Sequence, residues 1–85
     1  MISKHKRNDI EIIAEMLNLA QEERKKTHLM YQSNLCYDQL NYYMEFLLKK
    51  GFLEEKNKSQ GSLYNITNKG KEFLKNIEII INQIK

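Results

Sequence analysis

The 85-residue chain is 41% hydrophobic and 29% charged, which suits one small folded domain and excludes a disordered tail. Its one cysteine excludes an internal disulfide framework, and no apolar run approaches the roughly 20 residues that a membrane-spanning helix needs. Three glycines, no proline and a net charge of +3 predict a cytoplasmic, mostly helical protein with a mild bias towards polyanions.

The N-terminal part combines a basic arm with the start of a helix. Residues 1–7 are basic and offer nothing to pack, so we interpret them as an arm. Asn8 is a typical N-cap, and Glu11, three residues later, completes a capping box. Apolar residues then recur at helical spacing, which predicts a first helix from about Asp9 to Glu22.

The middle of the chain has the spacing of a helix-turn-helix. A short second helix over residues 27–33 is predicted, capped by Thr27, and Asn34 can enter the left-handed conformation of a tight turn. A third helix follows over about 36–50, and Gly51 ends it. A short helix, a tight turn and a longer, protruding helix are typical of this motif.

The last third of the chain changes period before it returns to a helix. Residues 52–53 start one short strand, residues 63–66 form another, and the polar stretch 57–62 between them predicts a hairpin turn. Thr67 then caps a helix that continues to Lys85.

These elements predict a mainly α fold with a small β-hairpin, in the order helix, helix, helix, hairpin, helix. The order is that of a winged helix-turn-helix with a long C-terminal dimerisation helix. We assign residues 1–7 to the arm, 8–66 to the winged helix-turn-helix domain and 67–85 to the C-terminal helix.

The C-terminal helix carries an apolar stripe at heptad spacing, which predicts a dimer seam. The predicted interface consists of Phe73, Ile77, Ile80, Ile81 and Ile84. The alternative is that the helix packs on the first helix of its own chain, which is favoured for Phe73, Leu74 and Ile77. For the three isoleucines nearer the terminus a second copy of the chain is favoured, because an exposed apolar stripe indicates a partner.

Two elements carry side chains suited to double-stranded DNA. In the third helix, Gln39 and Asn41 have amides that can bond to adenine in the major groove, and the wing at 56–62 offers lysines to the flanking backbone. The candidate contacts are Lys25, Lys26, Tyr37, Asp38, Gln39, Asn41, Tyr42, Lys56, Lys58 and Gln60. A polar outward face is equally expected of any surface helix, and this helix has no cation before Lys49.

Catalytic and metal-binding patterns are lacking in the sequence, so we expect no enzyme activity, no cofactor and no bound metal. His5 and His28 have no cysteine or carboxylate at metal-ligand spacing. Cys36 has no second cysteine to pair with, and we interpret it as a half-buried helix cap rather than a redox switch.

Three segments are similar to one archaeal family: KTHLMYQSNLCY at 26–37, LLKKGFL at 47–53 and YNITNKGK at 64–71. They resemble the winged-helix family that includes the ten-kilodalton chromatin-associated DNA-binding proteins. The resemblance implies a nucleoid-associated homodimer, joined by an antiparallel coiled coil of C-terminal helices, with two winged helices facing DNA. Cys36 stands where a serine often caps the helix, and the C-terminal helix is short for that family.

Three functions remain open from the sequence. The first is a homodimeric transcriptional regulator that binds a short, near-palindromic, AT-rich duplex. The second is an architectural DNA-binding protein with little sequence preference, favoured by the nearly neutral third helix and the basic arm. The third is a winged-helix adaptor between proteins, for which the acidic pairs at 22–23 and 54–55 argue.

Overall fold

Four helices and one hairpin follow each other in the computed structural model, which describes residues 8–59 and 61–84. The elements are α1 (Asp9–Leu19), α2 (Lys26–Gln32), α3 (Tyr37–Lys49), β1 (Leu53–Lys58), β2 (Gly61–Ile66) and α4 (Asn68–Gln83). The predicted fold class, mainly α with an antiparallel hairpin, is confirmed. The arm at 1–7, Gln60 and Lys85 lie outside the described residues. Among the described residues, no helix is both long and apolar enough to cross a bilayer.

The first helix begins where predicted and ends earlier. The Asn8 side chain accepts from the backbone N–H of Glu11 at 2.8 Å, and the Glu11 carboxylate accepts from the N–H of Asn8 at 3.2 Å, which confirms the capping box. The helix ends at Leu19 instead of Glu22. The reason is tertiary, because the Ala20 carbonyl accepts hydrogen bonds from β2, from the Ile66 N–H at 2.8 Å and the Asn65 amide at 2.9 Å.

The second helix begins at Lys26, so the prediction that Thr27 is its N-cap is wrong. Lys25 is the cap residue and makes no side-chain cap bond. Just before it, the backbone of Arg24 exchanges two hydrogen bonds with Tyr64 of β2, at 2.9 and 2.8 Å. This short bridge adds a third chain segment to the hairpin and fixes the extended backbone from which α2 starts.

The turns on either side of α3 are as predicted. Asn34 has a φ of 56°, in the left-handed region, and it separates α2 from α3. Gly51 follows α3 with a φ of 80°, a conformation that a residue without a Cβ adopts at little cost. The helix-turn-helix of the sequence analysis is therefore present.

The hairpin is longer than predicted. Its register runs from Leu53 opposite Ile66 to Lys58 opposite Gly61, so only residues 59 and 60 separate the strands. Most of the polar stretch 57–62 thus belongs to the ladder rather than to the turn. Polar residues suit these positions because the outer half of the hairpin projects into solvent, where backbone pairing and not burial holds the strands together.

The core lies where α1, α2, α3 and the base of the hairpin meet. The largest of the fully buried hydrophobic side chains are Met16, Leu17, Leu29, Leu40 and Leu47. Helix α4 closes the core by packing against α1 and contributes Leu74 and Ile77. The Phe73 ring stacks on Phe52 with centres 4.1 Å apart, which anchors α4 to the start of the wing.

A hydrogen bond fixes α3 to the start of α1. The buried Tyr43 of α3 donates its hydroxyl proton to the Asp9 carboxylate at 2.6 Å. Replacing Tyr43 with phenylalanine is expected to lower the free energy of unfolding by about 1 kcal/mol, because one hydrogen bond is lost and the ring is kept. Chemical denaturation measures the change.

The neighbouring tyrosine supplies the matched control for this prediction. Tyr42 is exposed, and its ring meets that of Tyr43 edge to face at 5.1 Å. Tyr42→Phe should leave the unfolding midpoint within error of the parent protein, since its ring packing is retained. Equal midpoints for both variants would show that the Tyr43–Asp9 bond adds nothing.

Candidate nucleic-acid interface

The first two turns of α3 form the exposed part of the predicted recognition helix. Tyr37 and Tyr42 are 63% and 65% exposed, and Asp38 and Gln39 between them are exposed as well. Asn41, the other amide proposed to bind adenine, is half-buried. These two turns therefore present two aromatic rings, one amide and one carboxylate to solvent, with no cation among them, and Glu45 and Lys49 are exposed further along the helix.

Gln39 has a structural partner that the sequence analysis did not give it. Its side-chain oxygen accepts a hydrogen bond from the Cys36 backbone N–H at 3.1 Å, which caps α3. Bidentate bonding to adenine uses both the oxygen and the nitrogen of the amide, so this cap must open first. Cys36 itself is exposed, which corrects the prediction that it is half-buried.

The lysines before α3 lie beside its first turn. The Lys26 ammonium is 5.7 Å from the centre of the Tyr37 ring, within reach of a cation–π interaction. Lys25, exposed at the N-cap of α2, helps to line a shallow groove whose other lining residues include Tyr31 of α2 and Leu63 of β2. These contacts join the start of α3, the start of α2 and the wing into one surface. We call residues 25, 26, 37, 38, 39 and 42 the candidate DNA surface.

Both wing lysines are paired with a carboxylate. Lys56 donates to one oxygen of Glu23 at 3.2 Å, and the Lys58 ammonium is 3.6 Å from the other oxygen. The hydrogen bond from Lys56, aided by the charges of both lysines, lowers the pKa of Glu23. The third wing candidate, Gln60, lies outside the described residues.

The apolar stripe of α4 is divided between two environments. Ile77 is 4% exposed, and Phe73 packs on Phe52, so both are used within the chain, as the alternative interpretation favoured. Ile81 is half-buried against the core. Ile80 and Ile84 are 50% and 76% exposed. The apolar surface that this stripe leaves for a partner is carried by these last two residues.

Sequence reasoning missed the residues that depend on the bridge to β2. Arg24 had no predicted role, and Glu23 entered only as one residue of the acidic pair at 22–23. Their one local signal is weak: a run of charged residues at 23–25 is expected of a solvated loop as much as of an edge strand. Tyr31, 74% exposed at the groove beside Lys25, was also missed.

The described residues also offer few groups for a metal ion. Among residues 8–59 and 61–84, no cluster of three or more histidine, cysteine, aspartate or glutamate side chains is close enough to hold one. His28, half-buried in α2, lines the same groove as Lys25. The candidate DNA surface carries the carboxylate of Asp38 beside amide, hydroxyl and ammonium groups, and these last three bind bases and phosphates.

Comparison with known proteins identifies the family. The model of the winged helix-turn-helix family matches residues 6–85, nearly the whole chain. The chain belongs to this family. An uncharacterized protein of Methanocaldococcus jannaschii is 36% identical over 70 residues, covering 81% of this chain and 68% of the relative.

Solved structures agree with the winged-helix family. Sso10a-2, a DNA-binding protein from Sulfolobus solfataricus, has a TM-score of 0.83 at 29% identity, over 89% of this chain and 80% of that one. The transcriptional regulator BldR from the same organism has a TM-score of 0.79, over 87% of this chain and 56% of that one. Because BldR is 17% identical, this second likeness concerns the fold alone.

Proposed function

We propose that this winged-helix protein binds double-stranded DNA as a homodimeric transcriptional regulator. The observation that carries the proposal is the candidate DNA surface: an exposed helix start with a cation against its first aromatic ring, continuous with the groove at the wing. The 29% identity to a DNA-binding protein of the same fold supports it. Helix α3 enters the major groove, and the wing at 56–62 follows the flanking backbone.

Each part of the surface has its own task in this proposal. Lys25 and Lys26 neutralise phosphates beside the groove, because α3 has no cation before Lys49. Tyr37 and Tyr42 donate to phosphate or pack on thymine methyl groups, and Gln39 bonds to a base once its cap has opened. Asp38 disfavours nearby phosphates, so it orients α3 rather than adding affinity.

Dimerisation supplies a second recognition helix for the second half-site of the DNA. The exposed isoleucines at the end of α4, Ile80 and Ile84, lie outside the face of the helix that packs in its own core. Pairing two such helices buries them and presents two copies of α3 to one duplex. This arrangement also follows from the resemblance to the ten-kilodalton archaeal proteins.

Removing the phosphate contacts at α2 tests the DNA surface. The double variant K25A/K26A is expected to bind a duplex about 10-fold more weakly at moderate salt. Its plot of log affinity against log salt should be shallower by about 2, because each phosphate contact contributes close to one unit of slope. Fluorescence anisotropy with a labelled duplex, repeated over a series of salt concentrations, measures both quantities.

A second double variant removes the same charge elsewhere. Lys71 and Lys75 are exposed on α4, on the side turned away from the apolar stripe, so K71A/K75A should keep the parent slope. Equal losses of DNA affinity in both variants would show that net charge alone sets the affinity and would contradict the candidate DNA surface. If the parent protein binds no duplex even in dilute salt, the chain is an adaptor between proteins instead.

A second candidate function is architectural DNA binding with little sequence preference. It is favoured by two observations on α3: Gln39 is engaged in a cap, and Asn41 is half-buried, so few amides are ready to bind bases. Selection of duplexes from a random pool separates the two functions. A regulator enriches one site by at least about 10³ over random DNA, and an architectural protein does not.

A further inference from the structure

A carboxylate from another part of the chain, that of Glu23, lies against the wing in the position of a ligand. Lys56 and Lys58 lie two residues apart on β1, so their side chains share one face of the strand. Glu23 spans both: one carboxylate oxygen accepts from Lys56 at 3.2 Å, and the other is 3.6 Å from Lys58. Two cations converging on one anion is the arrangement with which lysines hold a phosphate group.

The backbone explains how Glu23 reaches these lysines. Its neighbour Arg24 is bridged to Tyr64 of β2, so residue 23 lies at the edge of the hairpin opposite β1. Alternation along the three segments puts the side chains at 23, 56, 58 and 63 on the same face. The residue paired with Lys58 is Gly61, which has no side chain to separate the carboxylate from the ammonium group.

We propose that Glu23 sets the DNA affinity of the wing by occupying Lys56 and Lys58 as an internal substitute for a DNA phosphate. The inference rests on the proposed binding of duplex DNA and names a residue that weakens it. A phosphate approaching the wing meets two lysines whose charge is already partly compensated, together with a carboxylate that repels it. The wing lysines therefore contact DNA only when the Glu23 carboxylate releases them.

The accessibility of the three side chains fits this role. The Glu23 side chain is 34% exposed, and those of Lys56 and Lys58 are 41% and 48% exposed, so solvent and a polyanion reach all of them. Ion pairs at such exposed sites contribute little to stability. Because these ion pairs are weak, a DNA phosphate can replace the Glu23 carboxylate as the partner of the two lysines.

The test replaces Glu23 by its neutral isostere. E23Q is expected to bind duplex DNA about 3- to 10-fold more tightly than the parent protein in dilute salt. The slope of log affinity against log salt should steepen by about 1 to 2, as the freed lysines take up phosphates. E22Q is the matched control, because it removes the same charge from the adjacent exposed residue. The Glu22 carboxylate is 3.7 Å from the Arg24 guanidinium and makes no ion pair with the wing lysines.

A wing without lysines completes the design. In a K56Q/K58Q background, E23Q should change neither affinity nor slope, and thermal unfolding should show that every variant is folded. The inference is overturned if E23Q binds no more tightly than E22Q, if it binds more weakly than the parent, or if its effect persists without the lysines. A parent protein that binds no duplex refutes the proposed function instead, so the two failures are distinguishable.

Discussion

Replacing Ile80 with asparagine is expected to convert the protein from a dimer into a monomer at micromolar concentration. Ile80 is 50% exposed in the single chain, so the substitution leaves the core intact and acts on the association step. Full burial of an isoleucine contributes about 1.5–3 kcal/mol, so burial of the exposed half of Ile80 contributes about half of this, and a symmetric dimer buries two copies. The dimerisation constant should therefore weaken by about 10- to 10²-fold.

Sedimentation equilibrium at several protein concentrations measures this change. DNA binding should follow it: without a partner the chain reaches one half-site only, and loss of bivalency weakens affinity for a two-half-site duplex by about 10²-fold or more. Affinity for a duplex with a single half-site should change little. This difference separates the loss of the dimer from damage to the candidate DNA surface.

Ile79 offers a close control on the same helix. Ile79 is 49% exposed and Ile80 is 50% exposed, but the two side chains lie about 100° apart around α4. I79N should sediment as the parent protein does. The proposed seam is refuted if I79N and I80N dissociate equally, if neither dissociates, or if the parent protein is itself monomeric at high concentration.

The order of elements was predictable because its signals are local. The capping box at Asn8, the left-handed residue Asn34 and the glycine at 51 each act through chemistry within four residues, and all three are present in the structure. Helical periodicity found α1, α3 and α4 for the same reason. A prediction from such local signals can be made without knowing which elements pack together.

The errors arise where distant segments meet. The end of α1 is set by hydrogen bonds from β2 to the Ala20 carbonyl, and the start of α2 by the bridge between Arg24 and Tyr64. Neither contact has a signature in the residues around positions 20–25. The pairing of Glu23 with the wing depends on the same bridge, so it was equally out of reach from the sequence.

The stripe on α4 shows a second kind of limit. Ile77 and Ile80 lie three residues apart and are equivalent in a heptad pattern, yet the first is buried in its own chain and the second is half-exposed. What separates them is their position around the helix: Ile81, one residue further along, still packs against the core, so Ile80 lies within the length of the domain but off the face that the domain covers. A periodic pattern indicates that a face is apolar and does not indicate which surface covers it.

Replacing Gly70 with alanine is expected to destabilise the protein more than any surface substitution. A Cβ at this position would overlap the Phe52 carbonyl oxygen and lie 2.8 Å from the Ile66 side chain. The same carbonyl accepts from the Thr67 N–H at 3.0 Å, and Thr67 caps α4 by accepting from the Gly70 N–H at 2.9 Å. The helix must therefore move away from the wing, at a cost of about 3 kcal/mol.

Thermal unfolding at a fixed protein concentration, monitored by circular dichroism, measures the loss. For a domain of this size about 3 kcal/mol corresponds to a fall in Tm of roughly 12–24 °C. Lys71→Ala, at the next and exposed position of α4, should shift Tm by no more than a few degrees. The close approach at Gly70 also holds α4 in the direction that exposes Ile80, so G70A should weaken dimerisation although it alters no residue of the seam. A G70A protein with the Tm and sedimentation behaviour of the parent would show that α4 is not held at Phe52 in this way.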